Sequence, residues 1–150
     1  MREVAGRVLI DAAREAAIHA HAPYSRFGVG AVALLDDGQI IGGANFENAS
    51  YGLSLCAETV TLATANSQGR LRDIVAIGVI GGTLSKEGAL GGSALVTPCG
   101  RCRQVINEAA QLAGHDIDIY CGSADGSAFA YFRASELLPH AFGPSDLGVK

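Results

Sequence analysis

Three cysteines and one glutamate have the residue types and spacing of a catalytic metal site. Cys56 and Glu58 are separated by one residue, and Cys99 and Cys102 lie three positions apart directly after Pro98. Thiolate sulfur is a strong ligand for Zn²⁺, which takes four tetrahedral ligands, and a catalytic site leaves one of the four positions to water. The sequence therefore predicts that the three cysteines hold one Zn²⁺ and that Glu58 reaches the open position without occupying it.

Two other interpretations of the cysteines remain open from the residues alone. Cys99 and Cys102 by themselves could form a redox-active pair. With Cys121, the four cysteines of the chain could build a closed structural zinc site. The third cysteine and the nearby glutamate favour the open, catalytic site. Cys121 falls in an apolar stretch and is expected to be a small buried hydrophobic residue.

Two predicted helices carry these residues. The first covers about residues 55–68, with Ser54 as a candidate N-cap and Gly69 just past its end. The second covers about residues 97–112, with Thr97 as its candidate cap. Both metal-binding stretches then lie at helix N-termini. Three thiolates on Zn²⁺ carry a net charge of −1, and helix dipoles with free N–H groups offset part of that charge and lower the pKa of the thiols.

The other elements are predicted from apolar runs and turn signals. Five strands are expected, over residues 29–35, 39–44, 74–80, 117–121 and 128–132. The Gly- and Ser-rich stretch 81–95 is expected to be a mobile loop, and a short helical turn is expected near 135–138. The resulting order, αββαβαββ, is typical of an α/β layer structure with a mixed sheet.

An amphipathic helix is expected at the start of the chain, over about residues 2–20. Val4, Val8, Ala12 and Ala16 recur at every fourth position and are predicted to form its buried face.

The composition restricts the class of protein. A chain of 150 residues predicts a single domain, 1–150, and the contents of 49% hydrophobic and 17% charged residues are those of a globular protein. The formal net charge of −4, with no basic stripe, argues against a nucleic-acid polymer as partner. The sequence shows no apolar run typical of a signal peptide or a membrane span, so a cytoplasmic protein with reduced cysteines is expected.

Five stretches together resemble the short, one-domain cytidine deaminases. They are residues 22–30, 45–52, 56–58, 98–104 and 142–144, in the order of the family and across most of the chain. The Cys-x-Glu … Pro-Cys-x-x-Cys pattern is the three-cysteine form of the zinc nucleobase deaminase signature. The resemblance implies a three-layer α/β/α cytidine-deaminase-like fold with a mixed five-stranded sheet.

The resemblance also implies an activity, a cofactor and a substrate site. The reaction would be hydrolytic deamination of free cytidine or deoxycytidine in pyrimidine salvage, with one Zn²⁺ per subunit and Glu58 as the group that moves the proton. The implied substrate-binding residues are Phe27, Asn45, Glu47, Ala49, Tyr51, Ala57 and Phe142.

Individual roles follow from the same resemblance. Asn45 and Glu47 would bind the ribose hydroxyls, and Phe27 would pack on the base. The segment 49–51, which includes Ala49 and Tyr51, would reach into the site of an adjacent subunit, and so would Phe142. This implies a homotetramer.

The chain departs from the family at Thr59, where common members carry an arginine that donates to the ligand sulfurs. A hydroxyl brings no charge, and Arg103 lies four residues after Cys99 on the same helical face. The hypothesis is that Arg103 makes the missing contact; the alternative is that it is a solvated surface charge.

Other functions stay open beside cytidine deamination. Stretch 98–104 and the uncharged residue after Glu58 also resemble blasticidin S deaminases, so blasticidin S or an N4-modified cytidine is an alternative substrate. A polynucleotide-editing deaminase is disfavoured by the acidic charge balance. A non-enzymatic zinc protein would have four protein ligands.

Overall fold

The computed structural model describes residues 2–150. The helices are α1 (Arg2–Ala17), α2 (Ala57–Ser67), α3 (Gly100–Ala113) and α4 (Ala134–Leu137). The strands are β1 (Phe27–Leu35), β2 (Ile40–Ala44), β3 (Ile74–Leu84), β4 (Leu90–Gly91), β5 (Asp118–Ser123) and β6 (Phe129–Arg133). Among these residues, no helix has both the length and the apolar character that crossing a bilayer requires.

The strands form one mixed sheet in the order β2-β1-β3-β5-β6, and β4 pairs with the end of β3. β1 runs antiparallel to both β2 and β3, whereas β3 and β5 are parallel and β6 returns antiparallel to β5. Because parallel neighbours need a crossover, the chain between β3 and β5 passes through α3. The five predicted strands and the mixed sheet are confirmed, with β4 as an addition.

Helices cover both faces of the sheet. On one face, Leu9 and Ile10 of α1 pack with Val32 of β1. On the other face, α2 and α3 enclose the larger core, which includes Leu62 and Ile106. Successive side chains of a strand point to opposite faces, so the apolar runs of β1, β3 and β5 supply both cores. The predicted three-layer α/β/α arrangement is confirmed.

The buried face of α1 differs from the predicted one. Val4 and Val8 are 69% and 57% exposed, and the helix ends at Ala17 and not at residue 20. The buried residues are Gly6, Leu9, Ile10, Ala13 and Ala17. Their spacing of three and four follows the 3.6-residue turn more closely than a strict four-residue repeat does, and they include the large side chains of Leu9 and Ile10.

The stretch 81–95 was expected to be a mobile loop, and this was wrong for residues 81–91. β3 continues to Leu84 and turns back into β4, so that Leu84 pairs with Leu90. The turn is closed by the N–H of Ser85 donating to the carbonyl of Ala89 at 2.9 Å. A β-hairpin therefore extends the central strand, β3, at its C-terminal end.

Candidate metal centre and catalytic site

The N-termini of α2 and α3 bring the three predicted ligands together. Cys56 is the N-cap of α2 and Cys99 is the N-cap of α3, while Cys102 is buried in the first turn of α3. The predicted caps, Ser54 and Thr97, were each two residues too early. The Sγ atoms of Cys56 and Cys99 are 3.8 Å apart, those of Cys99 and Cys102 are 3.5 Å apart, and all three lie within 4.8 Å of one another.

This arrangement fits a zinc ion. Zn–S bonds of about 2.3 Å at tetrahedral angles place two sulfurs about 3.8 Å apart, close to the observed separations. Among residues 2–150, the group of metal-ligating atoms contains these three thiols and not Cys121. Cys121 is fully buried in the hydrophobic core on β5, and burial raises the pKa of its thiol to about 12. The closed four-cysteine site is therefore not supported, and Cys121 is the buried hydrophobic residue that was expected.

The surroundings treat the three thiols differently. Burial raises the pKa of the Cys56 thiol, and burial together with the charge of Glu58 raises the pKa of the Cys102 thiol. Burial also favours a higher pKa at Cys99, but hydrogen bonds to its sulfur outweigh burial and lower the pKa of this thiol. The largest of these contributions comes from the backbone N–H of Cys102. The predicted effect of a helix N-terminus thus dominates only at Cys99. A bound cation would stabilise all three thiolates.

Glu58 lies in the first turn of α2 with only 4% of its surface exposed. Burial raises the pKa of its carboxyl group above the ordinary value. A carboxyl group with a raised pKa can accept and return a proton near neutral pH, which a group that stays fully ionised does less well. The position and environment of Glu58 therefore suit a proton carrier.

A cavity of about 230 Å³ opens beside these residues. Six of the residues predicted for the site line it, namely Asn45, Glu47, Cys56, Ala57, Glu58 and Cys99. Sequence reasoning missed five further lining residues, Val29, Ser54, Leu55, Val96 and Thr97. Four of them could have been found from their positions in the sequence: Ser54 and Leu55 directly precede Cys56, and Val96 and Thr97 directly precede the stretch that begins at Pro98.

The side chain of Asn45 joins the end of β2 to β1. Its Oδ1 accepts the N–H of Val29 and its Nδ2 donates to the carbonyl of Phe27, both at 2.9 Å. An amide side chain has two lone pairs and two N–H groups, so one of each remains for a ligand. Asn45 is therefore already a structural bridge within the protein.

Glu47 is held by the chain before β1. Its Oε1 accepts the N–H groups of Tyr24 and Ser25 at 3.1 and 3.2 Å. Burial works against ionisation, but the hydrogen bonds from Ser25 and Tyr24 outweigh it, and the pKa of the Glu47 carboxyl falls below its ordinary value. The second carboxylate oxygen can accept hydrogen bonds from hydroxyl groups.

Four predicted substrate-binding residues are not among those that line the cavity. They are Phe27, Ala49, Tyr51 and Phe142. The side chains of Tyr51 and Phe142 are 73% and 62% exposed. The ring of Tyr51 packs beside Tyr24 with 5.6 Å between centroids, and the carbonyl of Phe142 accepts a hydrogen bond from Gln104 at 2.8 Å. The ring of Tyr51 is thus held by a neighbouring ring, whereas Phe142 is held through its backbone, and both residues are exposed on the single chain.

Thr59 and Arg103 differ from the hypothesis made for them. The hydroxyl of Thr59 lies 3.9 Å from Sγ of Cys102, so Thr59 itself contacts a ligand. The guanidinium of Arg103 donates instead to the carbonyls of Pro98 and Leu137 and to the hydroxyl of Thr97. The predicted direct contact between Arg103 and the sulfurs is therefore wrong.

Comparison with known proteins agrees with the geometry. Residues 6–113 match the family described as the cytidine and deoxycytidylate deaminase zinc-binding region. The cytidine deaminase of Halalkalibacterium halodurans is 45% identical over 141 residues, which cover 94% of this chain and 96% of that protein. The cytidine deaminase of Mycobacterium tuberculosis is 40% identical over 150 residues, with 98% and 96% coverage. The crystal structure of the enzyme from Burkholderia pseudomallei superposes with a TM-score of 0.77 at 39% identity, covering 91% of this chain and 98% of that one.

Proposed function

This chain belongs to the cytidine and deoxycytidylate deaminase family, and on that premise we propose that it hydrolyses free cytidine and deoxycytidine to uridine and deoxyuridine with release of ammonia. The observation that carries the proposal is one cavity lined both by metal-ligating thiols and by the buried carboxyl group of Glu58. The names of the relatives support cytidine as the substrate.

Cys56, Cys99 and Cys102 would hold one Zn²⁺ per subunit. When bound, the ion lowers the pKa of a water molecule and so supplies a nucleophile at neutral pH. Glu58 accepts the first proton of the attacking water and delivers it to the ring nitrogen beside the carbon under attack. Glu58 then accepts the second proton, from the new hydroxyl group on that carbon, and passes it to the exocyclic amine. The carbon–nitrogen bond breaks, ammonia leaves, and the hydroxyl oxygen becomes the new carbonyl oxygen.

The remaining side chains are assigned to substrate binding. The free oxygen of Glu47 and the remaining polar groups of Asn45 bind the sugar hydroxyls. Ala57 lies in the cavity wall between Cys56 and Glu58 and contacts the substrate there. Phe27 begins β1 and is fixed through its carbonyl by Asn45, which supports its assignment as the residue that packs on the base.

We extend the proposal to a homotetramer with shared sites. Ala49, Tyr51 and Phe142 lie on the surface of the single chain, and large exposed aromatic side chains are typical of interfaces. In the assembly, these residues would complete the site of a neighbouring subunit. Light scattering should give the mass of four chains for the active protein; a fully active monomer would contradict shared sites.

The proposed setting is pyrimidine salvage in the cytoplasm, by a single domain spanning residues 1–150. Three thiols that must stay reduced to bind metal suit a reducing compartment. The net charge of −4 favours a small neutral nucleoside over a nucleic-acid polymer, and we propose no membrane partner.

The decisive experiment combines metal analysis with an ultraviolet absorbance assay on cytidine. Elemental analysis should give one zinc per chain for the wild type and for Glu58→Gln, because the carboxylate is not a ligand. Turnover in Glu58→Gln should fall by about 10²- to 10⁴-fold, or more if the same group serves twice. Cys99→Ala should lose zinc and turnover together. Near-normal turnover in Glu58→Gln, or full zinc retention in Cys99→Ala, would overturn the proposal. Competition between cytidine and blasticidin S in the same assay separates the two substrates.

A further inference from the structure

Arg103 carries a half-buried charge that is bound by neutral oxygens only. Its Nε donates to the carbonyl of Pro98 at 2.7 Å, Nη1 donates to the carbonyl of Leu137 at 3.1 Å, and Nη2 donates to the hydroxyl of Thr97 at 3.4 Å. Among the ion pairs of residues 2–150, none includes Arg103. A partly buried cation without a carboxylate partner is costly, so its placement needs a reason.

The contacts of Arg103 fix the backbone on both sides of the ligand Cys99. The carbonyl of Pro98, which precedes Cys99, accepts a hydrogen bond from the side chain of Arg103. The carbonyl of Cys99 accepts the backbone N–H of Arg103 at 2.9 Å, which is the ordinary first hydrogen bond of α3 and does not depend on the side chain. Pro98 is fully buried, whereas Cys99 is exposed, so packing alone restrains Cys99 only weakly. The third contact, to Leu137, attaches this corner to the end of α4.

We propose that Arg103 is a positioning residue that holds the thiol of Cys99 in the orientation required for zinc. This inference rests on the proposed zinc site. The helix hydrogen bond fixes the peptide group after Cys99, and the side chain of Arg103 fixes the peptide group before it through the carbonyl of Pro98. Without the arginine side chain, the backbone torsions of Cys99, and therefore the direction of its thiol, are restricted on one side only. The planar guanidinium donates in three directions at once, which an ammonium group on a flexible stem does not reproduce.

Arg101 provides a matched control for Arg103. It lies in the same helical turn next to Cys102, carries the same charge, and has an exposed side chain. The test measures the rate at which purified zinc-loaded protein transfers its metal to a chromogenic chelator, for Arg103→Lys, Arg103→Met and Arg101→Met. A second readout is the thiolate-to-metal charge-transfer band of the cobalt-substituted proteins, which reports ligand geometry independently of turnover.

Arg103→Lys and Arg103→Met should both release zinc about 10- to 100-fold faster than the wild type, with a shifted cobalt spectrum. Arg101→Met should match the wild type in both measurements. Wild-type release and spectrum in Arg103→Lys would overturn the inference, as would equal effects at Arg101 and Arg103. If Arg103→Met does not fold, the lysine variant decides alone because it keeps the charge. A wild-type protein without zinc would instead overturn the proposed function, and this inference with it.

Discussion

The bridge made by Asn45 can be tested with the substitution Asn45→Asp. Aspartate keeps an oxygen for the N–H of Val29 but replaces the Nδ2 donor, so a carboxylate oxygen faces the carbonyl of Phe27 at the position of a 2.9 Å hydrogen bond. The substitution thus removes one hydrogen bond between β2 and β1 and leaves the carbonyl of Phe27 without its partner. It leaves the length and shape of the side chain almost unchanged.

The expected cost follows from the lost partner. Leaving a carbonyl unsatisfied costs about 1–3 kcal/mol of unfolding free energy. For a chain of this size, 1 kcal/mol shifts Tm by about 2–4 °C, so Asn45→Asp should lower Tm by roughly 2–12 °C. The lower half of that range is expected, because Asn45 is only half-buried and water can reach the site.

Asn48→Asp is the matched control, since it introduces the same charge in the same loop. The Oδ1 of Asn48 accepts the N–H of Ser50 at 2.8 Å, which a carboxylate can also do. Thermal unfolding at one protein concentration should therefore show a lower Tm for Asn45→Asp only. Equal Tm values for the two variants would refute the reasoning. Measuring KM for cytidine in parallel separates the roles, because a lower Tm with unchanged KM would leave Asn45 as a bridge and not a sugar ligand.

Two further predictions concern the C-terminal half of the chain. Burial opposes ionisation of Asp116, but hydrogen bonds from Ser135 and the charge of Arg133 hold the pKa of this carboxyl below its ordinary 3.8. The ionised carboxylate therefore stabilises the fold fully above pH 3.8, and this stabilisation is lost as pH falls through the folded-state pKa. Asp116→Asn should lower Tm at pH 7, and the Tm difference from the wild type should shrink in acid. A Tm difference that stays constant down to pH 3 would contradict this. A Cβ on Gly143 would lie 2.4 Å from Oε1 of Gln111 and 2.7 Å from Nδ2 of Asn107, so Gly143→Ala should push these two side-chain ends away from Ser145 and Phe142. The tail then loses hydrogen bonds to α3, so turnover and the mass of the proposed assembly should fall more than Tm. Light scattering and the cytidine assay check this, and unchanged mass and turnover would argue against it.

The metal site was predictable from sequence because its determinants are local. Cys56 and Glu58 share one helical turn, as do Cys99 and Cys102, so their relative positions follow from helix geometry once the helices are recognised. The helix starts were each misplaced by two residues. The error arose because a cysteine is not a usual N-cap, so the better capping residues, Ser54 and Thr97, were chosen.

Features that depend on tertiary contacts were less predictable. The valines of α1 recur with a helical repeat. The adjacent face of the helix, which carries Leu9 and Ile10, packs against the sheet instead, so Val4 and Val8 are exposed. Composition alone cannot choose between two apolar faces of one helix. The hairpin after β3 was missed for a related reason, since its Gly- and Ser-rich sequence lacks the alternation of a strand and is stabilised by pairing with β3.

α3 connects the metal site to the C-terminal tail. Its first turn carries Cys102, and the next residue, Arg103, binds the carbonyl of Leu137 at the end of α4. Gln104 and Asn107 then both donate to the carbonyl of Phe142, at 2.8 and 3.3 Å. Because one rigid helix makes all these contacts, the position of Phe142 relative to the thiols is set by α3 and not by the flexibility of the tail. A displacement of α3 should therefore disturb both the metal site and the position of Phe142, the residue proposed to complete a neighbouring site.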